Sequence, residues 1–180
     1  MIILRIKSGE KAATIKLSAI DGTIFDSENL KGKPFMLSFF RFASCPFCNL
    51  RIHELVKRFD EFGDEFTIVA VFDSPLDNLK RHAEGHNAPF PILADETNKY
   101  YKKYSIEHSF FGVLKGIFMR MPTLLNGMFK GYLPTTFKGS LTTMPADFLI
   151  DRDGVIHKAY YGEDEGDHLS FDLVKEFSFI

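Results

Sequence analysis

A chain of 180 residues is long enough for one domain with a substantial core, and a formal net charge of -2 with 26% charged residues excludes the basic character that phosphate-backbone binding demands. Nucleic acid is therefore not an expected partner. No apolar run approaches the roughly eighteen residues of a membrane span, and Met1-Ile2-Ile3-Leu4-Arg5-Ile6-Lys7 is too short for a secretory signal, so the expected location is cytoplasmic.

Residues 2–7 and 14–18 read as short strands, the second leading through the turn Asp21-Gly22 into Thr23-Ile24-Phe25. Phe35 to Phe40 is apolar at every position but Ser38, the pattern of a strand buried on both faces. Leu50, Ile52, Leu55, Val56, Phe59 and Phe62 recur at helical spacing up to Gly63, which predicts a helix over 46–62. A second buried strand, Phe66 to Phe72, precedes a more polar helix from Ser74-Pro75 to about His86. Next come a short strand within Pro89 to Ala94 and a helix capped by Asp95 and running to Tyr104. Strands return at 148–151 and 155–160, joined by Asp153-Gly154, and a last helix spans 170–177. This order predicts an α/β fold, a mixed central sheet flanked by helices, all within a single domain over 1–180.

Both cysteines of the chain fall in one motif, Cys45-Pro46-Phe47-Cys48, where the strand ending at Phe40 meets the helix. A thiol at a helix N-terminus is acidified by unpaired amides and the helix dipole, and a second thiol one turn on can attack a mixed disulfide or a sulfenic acid formed on the first. Such a two-electron cycle needs no cofactor. Pro46 suits the first helical turn, and Arg41 and Arg51 add positive charge that favours a thiolate. A zinc site would need two further ligands; there is no second cysteine pair, and His82 and His86 are the only closely spaced histidines.

Three ordered segments carry a family resemblance: Phe39-Phe40-Arg41-Phe42-Ala43-Ser44-Cys45-Pro46-Phe47-Cys48, then Phe90-Pro91-Ile92-Leu93-Ala94-Asp95, then Met144-Pro145-Ala146-Asp147-Phe148-Leu149-Ile150-Asp151-Arg152-Asp153-Gly154-Val155-Ile156. Over nearly its whole length the chain resembles the thioredoxin-fold superfamily, and within it the alkyl hydroperoxide reductase/thiol-specific antioxidant family, the peroxiredoxin-like redoxins. The resemblance implies a thioredoxin-like fold with an N-terminal strand extension. It makes Cys45 the attacking thiol and Cys48 the resolving one.

Two positions depart from that family. Peroxiredoxins carry Thr or Ser three residues before the attacking cysteine and Arg just before the late strand, whereas this chain has Phe42 and Pro145. Thioredoxin-like oxidoreductases carry a cis proline at the second position, which leaves the preceding backbone, here Met144, free to pair with a peptide substrate. These residues favour disulfide exchange over dedicated peroxide reduction, with Arg41 and Ser44 as partial replacements for the missing groups. Asp147 is either a proton shuttle for Cys48 or an exposed strand-edge carboxylate, and the acidic stretch 160–168 reads as a turn.

Residues 108–140 exceed what a minimal thioredoxin fold needs. From His108 to Ala146 there is no Asp or Glu, while Lys115, Arg120, Lys130 and Lys138 accompany many Phe, Leu and Met residues. Pro122 is expected to split this apolar, basic insertion into two short helices packed on the core, covering the active site, forming a homodimer face or lying on a membrane. The leading reading is a thiol-disulfide oxidoreductase recycled by a thioredoxin-type reductant. A thiol-dependent peroxidase acting on hydroperoxides through a Cys45 sulfenic acid, and a redox sensor or docking protein without turnover, are the alternatives.

Overall fold

In a computed structural model, which describes residues 5–136 and 138–180, the chain forms a seven-stranded mixed sheet with strand order β2-β1-β5-β4-β3-β6-β7. The strands are β1 (Lys16–Ala19), β2 (Ile24–Asp26), β3 (Phe35–Phe40), β4 (Thr67–Phe72), β5 (Ile92–Ala94), β6 (Ala146–Ile150) and β7 (Ile156–Tyr161). Every residue of β3 is buried, as a run apolar at all positions but Ser38 predicts, and β3 lies parallel to β4 and antiparallel to β6. The expected strand over 2–7 lies partly outside the described residues, and residues 5–7 form no strand. The strand extension is instead the β1–β2 hairpin, joined to the sheet through β5.

The helices are α1 (Pro46–Lys57), α2 (Leu76–Ala83), α3 (Lys99–Lys103), α4 (Phe110–Met119), α5 (Met121–Phe129) and α6 (Phe171–Ser178). Helix α1 is shorter than the apolar spacing predicts, because Arg58 leaves the helix and residues 59–61 turn in a separate 3-10 segment. Asp95 caps α3 as expected, its carboxylate accepting from the amides of Lys99, Tyr100 and Tyr101. Two apolar clusters line the two faces of the sheet. One joins Met36, Phe40, Phe72, Leu149 and α1 to Val174 and Phe177 of α6, and the other joins Phe39, Phe148, Tyr101 and Tyr104.

Within 108–140 the chain breaks at Arg120, with Pro122 in the first turn of α5 as expected. The orientation of this pair reverses the ordinary amphipathic rule. Gly112, Gly116 and Gly127 face inward, while Phe111, Phe118 and Phe129 are 82%, 77% and 88% exposed. Close approach explains the glycines: a Cβ at Gly112 would lie 2.6 Å from Met144 Sδ, and one at Gly127 would lie 3.2 Å from Pro46 Cβ.

Candidate active site

Parallel pairing of β3 with β4 directs the chain after Phe40 into the space at the strand's C-terminal end, where Cys45 becomes the N-cap of α1 in an extended conformation. Pro46 follows at the first helical position, where a missing N–H costs nothing. Asn49 fixes this corner, its side-chain amide donating to the carbonyls of Ala43 at 2.8 Å and Cys45 at 2.9 Å. His86 Nε2 meets Asn49 Oδ1 at 2.9 Å. His82 instead contacts Thr136 Oγ1, so the two histidines serve separate bonds.

Both sulfurs are free thiols and both cysteines are 0% exposed. Arg41 Nη1 lies 3.6 Å from Cys45 Sγ, and the Arg41 backbone N–H points at Cys48 Sγ from 3.4 Å. Burial by itself would push the Cys45 thiol up. The Cys48 thiol, the Arg41 guanidinium and the amides of Cys48 and Phe47 overcome that and bring it down to about 6. Burial, together with donation to Cys45 and the charge there, pushes Cys48 well up. The two thiols are thus electrically unlike: Cys45 is poised as a thiolate and Cys48 stays protonated.

Arg41 is held rigidly for this role. Its Nε donates to Thr143 O at 3.0 Å, its Nη2 donates to Leu141 O, and its Nη1 lies 3.8 Å from Glu165 Oε1. Asp73 fixes the same stretch by accepting from Ser140 N and Thr143 Oγ1. Arg51 does not share the task. It donates to Leu169 O and stacks over Phe171 with its Cζ 4.1 Å from the ring centroid.

Ser44 Oγ donates to Thr136 O, so its hydroxyl is engaged. The Met144–Pro145 peptide is trans, since the described residues contain no cis bond. Met144 N–H donates to Glu107 O at 2.8 Å and Pro145 O accepts from Gly162 N at 2.8 Å, so the backbone there is already paired. Asp147 is neither exposed nor a partner of Cys48. Completely buried, it accepts from Ser38 Oγ, His168 Nδ1 and Leu169 N.

The stretch 160–168, read from the sequence as a turn, supplies the residue that was missed. Glu165 is 2% exposed, and its Oε2 has no hydrogen-bond partner among the described residues. The motif is enclosed on every side just described: Gly127 of α5 sits against Pro46 and Leu50, Thr136 against Ser44, and Gly166 against Phe47. Gly127→Ile is expected to prise α5 from the start of α1 and raise the rate at which a bulky maleimide modifies Cys45 severalfold, measured by mass spectrometry. An unchanged rate would show that α5 does not guard the thiol.

A buried dithiol at the head of the first helix after a central parallel strand, with a guanidinium on the first sulfur, is the arrangement of a thioredoxin-like fold with a candidate redox centre. The alkyl hydroperoxide reductase/thiol-specific antioxidant model, described as AhpC/TSA family, matches residues 8–159, and the chain belongs to that family. It is 25% identical over 118 residues to chloroplastic peroxiredoxin Q of Populus jackii, covering 64% of this chain and 54% of that protein. Peroxidoxin BcpB from Mycobacterium tuberculosis superimposes with a TM-score of 0.66 at 17% identity, covering 91% of this chain and 90% of that one. A thiol peroxidase from Chromobacterium violaceum gives 0.66 at 15% identity, covering 96% and 86%. The chain spans little more than half the length of the poplar relative.

Proposed function

We propose that this chain is a thiol-dependent peroxidase in which Cys45 attacks a hydroperoxide and Cys48 resolves the product. The observation that carries the reading is Arg41 Nη1 at 3.6 Å from a fully buried Cys45 Sγ: a guanidinium this close acidifies the thiol and supplies a donor for negative charge that develops on an oxygen attacked by that sulfur. Cys45 thiolate attacks the terminal oxygen, the S–O bond forms, the O–O bond breaks, and an alcohol leaves with a proton from the site. Cys48 then displaces water from the sulfenic acid to close the disulfide, which a thioredoxin-type reductant reopens. A reducing compartment such as the cytoplasm returns both thiols between turnovers.

This reverses the order of preference drawn from Phe42 and Pro145. Arg41 supplies the guanidinium from a different place in the chain than family members use, so Pro145 does not cost the site its charge. A peptide disulfide would need the Met144 backbone for strand addition, and that N–H is committed to Glu107 O. The names of the relatives point the same way. Disulfide exchange remains the second reading, favoured by the one-turn spacing of a low-pKa Cys45 and a protonated Cys48.

Peroxide consumption run beside insulin-disulfide reduction separates the two. Wild type is expected to consume peroxide catalytically, Cys45→Ser to lose all turnover, and Cys48→Ser to stop after one equivalent with a sulfenic acid that dimedone traps. Insulin reduction without Cys45-dependent peroxide loss would overturn the peroxidase reading.

A further inference from the structure

Glu165 is a buried ionisable group beside the dithiol with no part in the peroxidase cycle, and its surroundings are unusual for a carboxylate. It comes from the connection between β7 and α6 and reaches under α4, where Gly116 makes room for it: a Cβ at Gly116 would lie 1.4 Å from Oε2. One oxygen faces Arg41 Nη1 at 3.8 Å, and the other is buried without a hydrogen-bond partner among the described residues. Desolvation in such a place costs an ionised carboxylate far more than it costs the neutral carboxylic acid. The same Arg41 nitrogen serves Cys45 Sγ, so a single positive charge faces two acids.

The other charges around Glu165 do not change this account. Asp164, its neighbour on the loop, is committed to Arg120 at the end of α4 at 2.7 Å, and Asp167 lies 3.9 Å from the same guanidinium. Glu163 is paired with Lys115 of α4 at 2.8 Å. From the β3 end comes Arg41, and from the head of α1 comes Cys45. Burial pushes Glu165 up to about 7, with Arg41 acting in the opposite direction and Cys45 and Asp164 adding to the rise.

We infer that Glu165 is the positioning residue that sets the charge state of Cys45: the two acids share Arg41 as one counter-charge and hold one proton between them. The one-proton state is then chiefly Cys45–S⁻ with Glu165–COOH, which exchanges by internal transfer with Cys45–SH and Glu165–COO⁻. No bond other than S–H and O–H changes and the buried cluster keeps its net charge, so the thiolate forms without bringing an unpaired charge into the interior. Ionisation of Glu165 as well, at higher pH, divides Arg41 between two anions and leaves the thiolate less stabilised and more nucleophilic. The inference rests on Cys45 being the attacking thiol but not on which electrophile it meets.

The test follows the iodoacetamide alkylation rate of Cys45 against pH in a Cys48→Ser background, with thiolate absorbance as a second readout; neither requires peroxidase activity. Two inflections are expected with Glu165 present, the second raising the rate severalfold. Glu165→Gln is expected to abolish the second inflection, and Gly116→Ala, which pushes the carboxylate out of its place, is expected to do the same. A merely structural Glu165 would change rates without changing the number of inflections, and an unaltered profile in Glu165→Gln overturns the inference. The Glu165 carboxyl carbon in the wild-type protein gives an answer with no substitution: an NMR shift moving in both steps supports sharing, and one step in the range of an ordinary glutamate overturns it.

Discussion

Arg41→Met is expected to slow alkylation of Cys45 at neutral pH by about tenfold, because removing a cation this close raises a thiol by roughly one to three pH units. Wild-type Cys45, held down to about 6, is mainly thiolate at neutrality, and a thiol near 8 is mainly protonated. The variant should regain its full rate at alkaline pH, which separates loss of the charge from loss of access. Stability falls as well. The guanidinium binds Thr143 O and Leu141 O and faces Glu165, all inside the protein, and removing one partner of a buried ionic group costs about 3–5 kcal/mol. Adding Glu165→Gln to Arg41→Met should recover part of this in urea unfolding, since no buried carboxyl is then left facing an empty place. A folded Arg41→Met protein that is alkylated at the wild-type rate at pH 7 would remove Arg41 from the thiol's activation.

The second large effect belongs to Asp147. Asp147→Ala is expected to destabilise the fold by about 3–5 kcal/mol, because it strands the Ser38 hydroxyl, His168 Nδ1 and the Leu169 amide in the interior. Burial alone would raise this carboxyl, but His168, Arg51 and Ser38 hold it at about 2 against an ordinary 3.8. A carboxyl lowered on folding contributes above its unfolded value and loses that contribution as the pH falls through its folded value. The window therefore runs from about pH 4 down to about pH 2, and the amount is about 2 kcal/mol. Urea midpoints across that window should fall more steeply for wild type than for Asp147→Ala, and parallel slopes would show that the carboxylate is not what acid attacks.

How far the sequence reveals this arrangement depends on the range of the interaction that decides each part. Strand β3, helix α1 and the CxxC at their junction are legible because local signals agree: a run apolar at all positions but Ser38, a helical stripe and Pro46 in the first turn. The split at Pro122 is legible for the same reason. Which arginine serves the thiol is not, since Arg41 and Arg51 flank the motif alike. Only the carbonyls of Leu141 and Thr143, a hundred residues on, pull Arg41 to Cys45, while Leu169 and Phe171 pull Arg51 away. Glu165 was hidden within an acidic, glycine-containing loop that resembles any solvated turn. The signal that could have found it is Gly116, whose lack of a side chain on a helix otherwise rich in bulky residues marks a place where something else must fit. Pro145 alone does not decide how a substrate would pair, because a proline's effect on the Met144 backbone depends on what already pairs with that backbone.

The glycine-lined inner faces of α4 and α5 also determine how this molecule meets its solvent. Neither helix can roll to hide its phenylalanines, because any roll would carry a side chain into Met144 Sδ, Glu165 or Pro46. The aromatic surface at Phe110, Phe111, Phe118 and Phe129 is consequently a fixed property of the folded state and not a sign of loosening. A protein with only 45% apolar residues should bind hydrophobic-interaction resins and fluorescent apolar dyes while fully native, and both should weaken when Phe111 and Phe118 are replaced by serine.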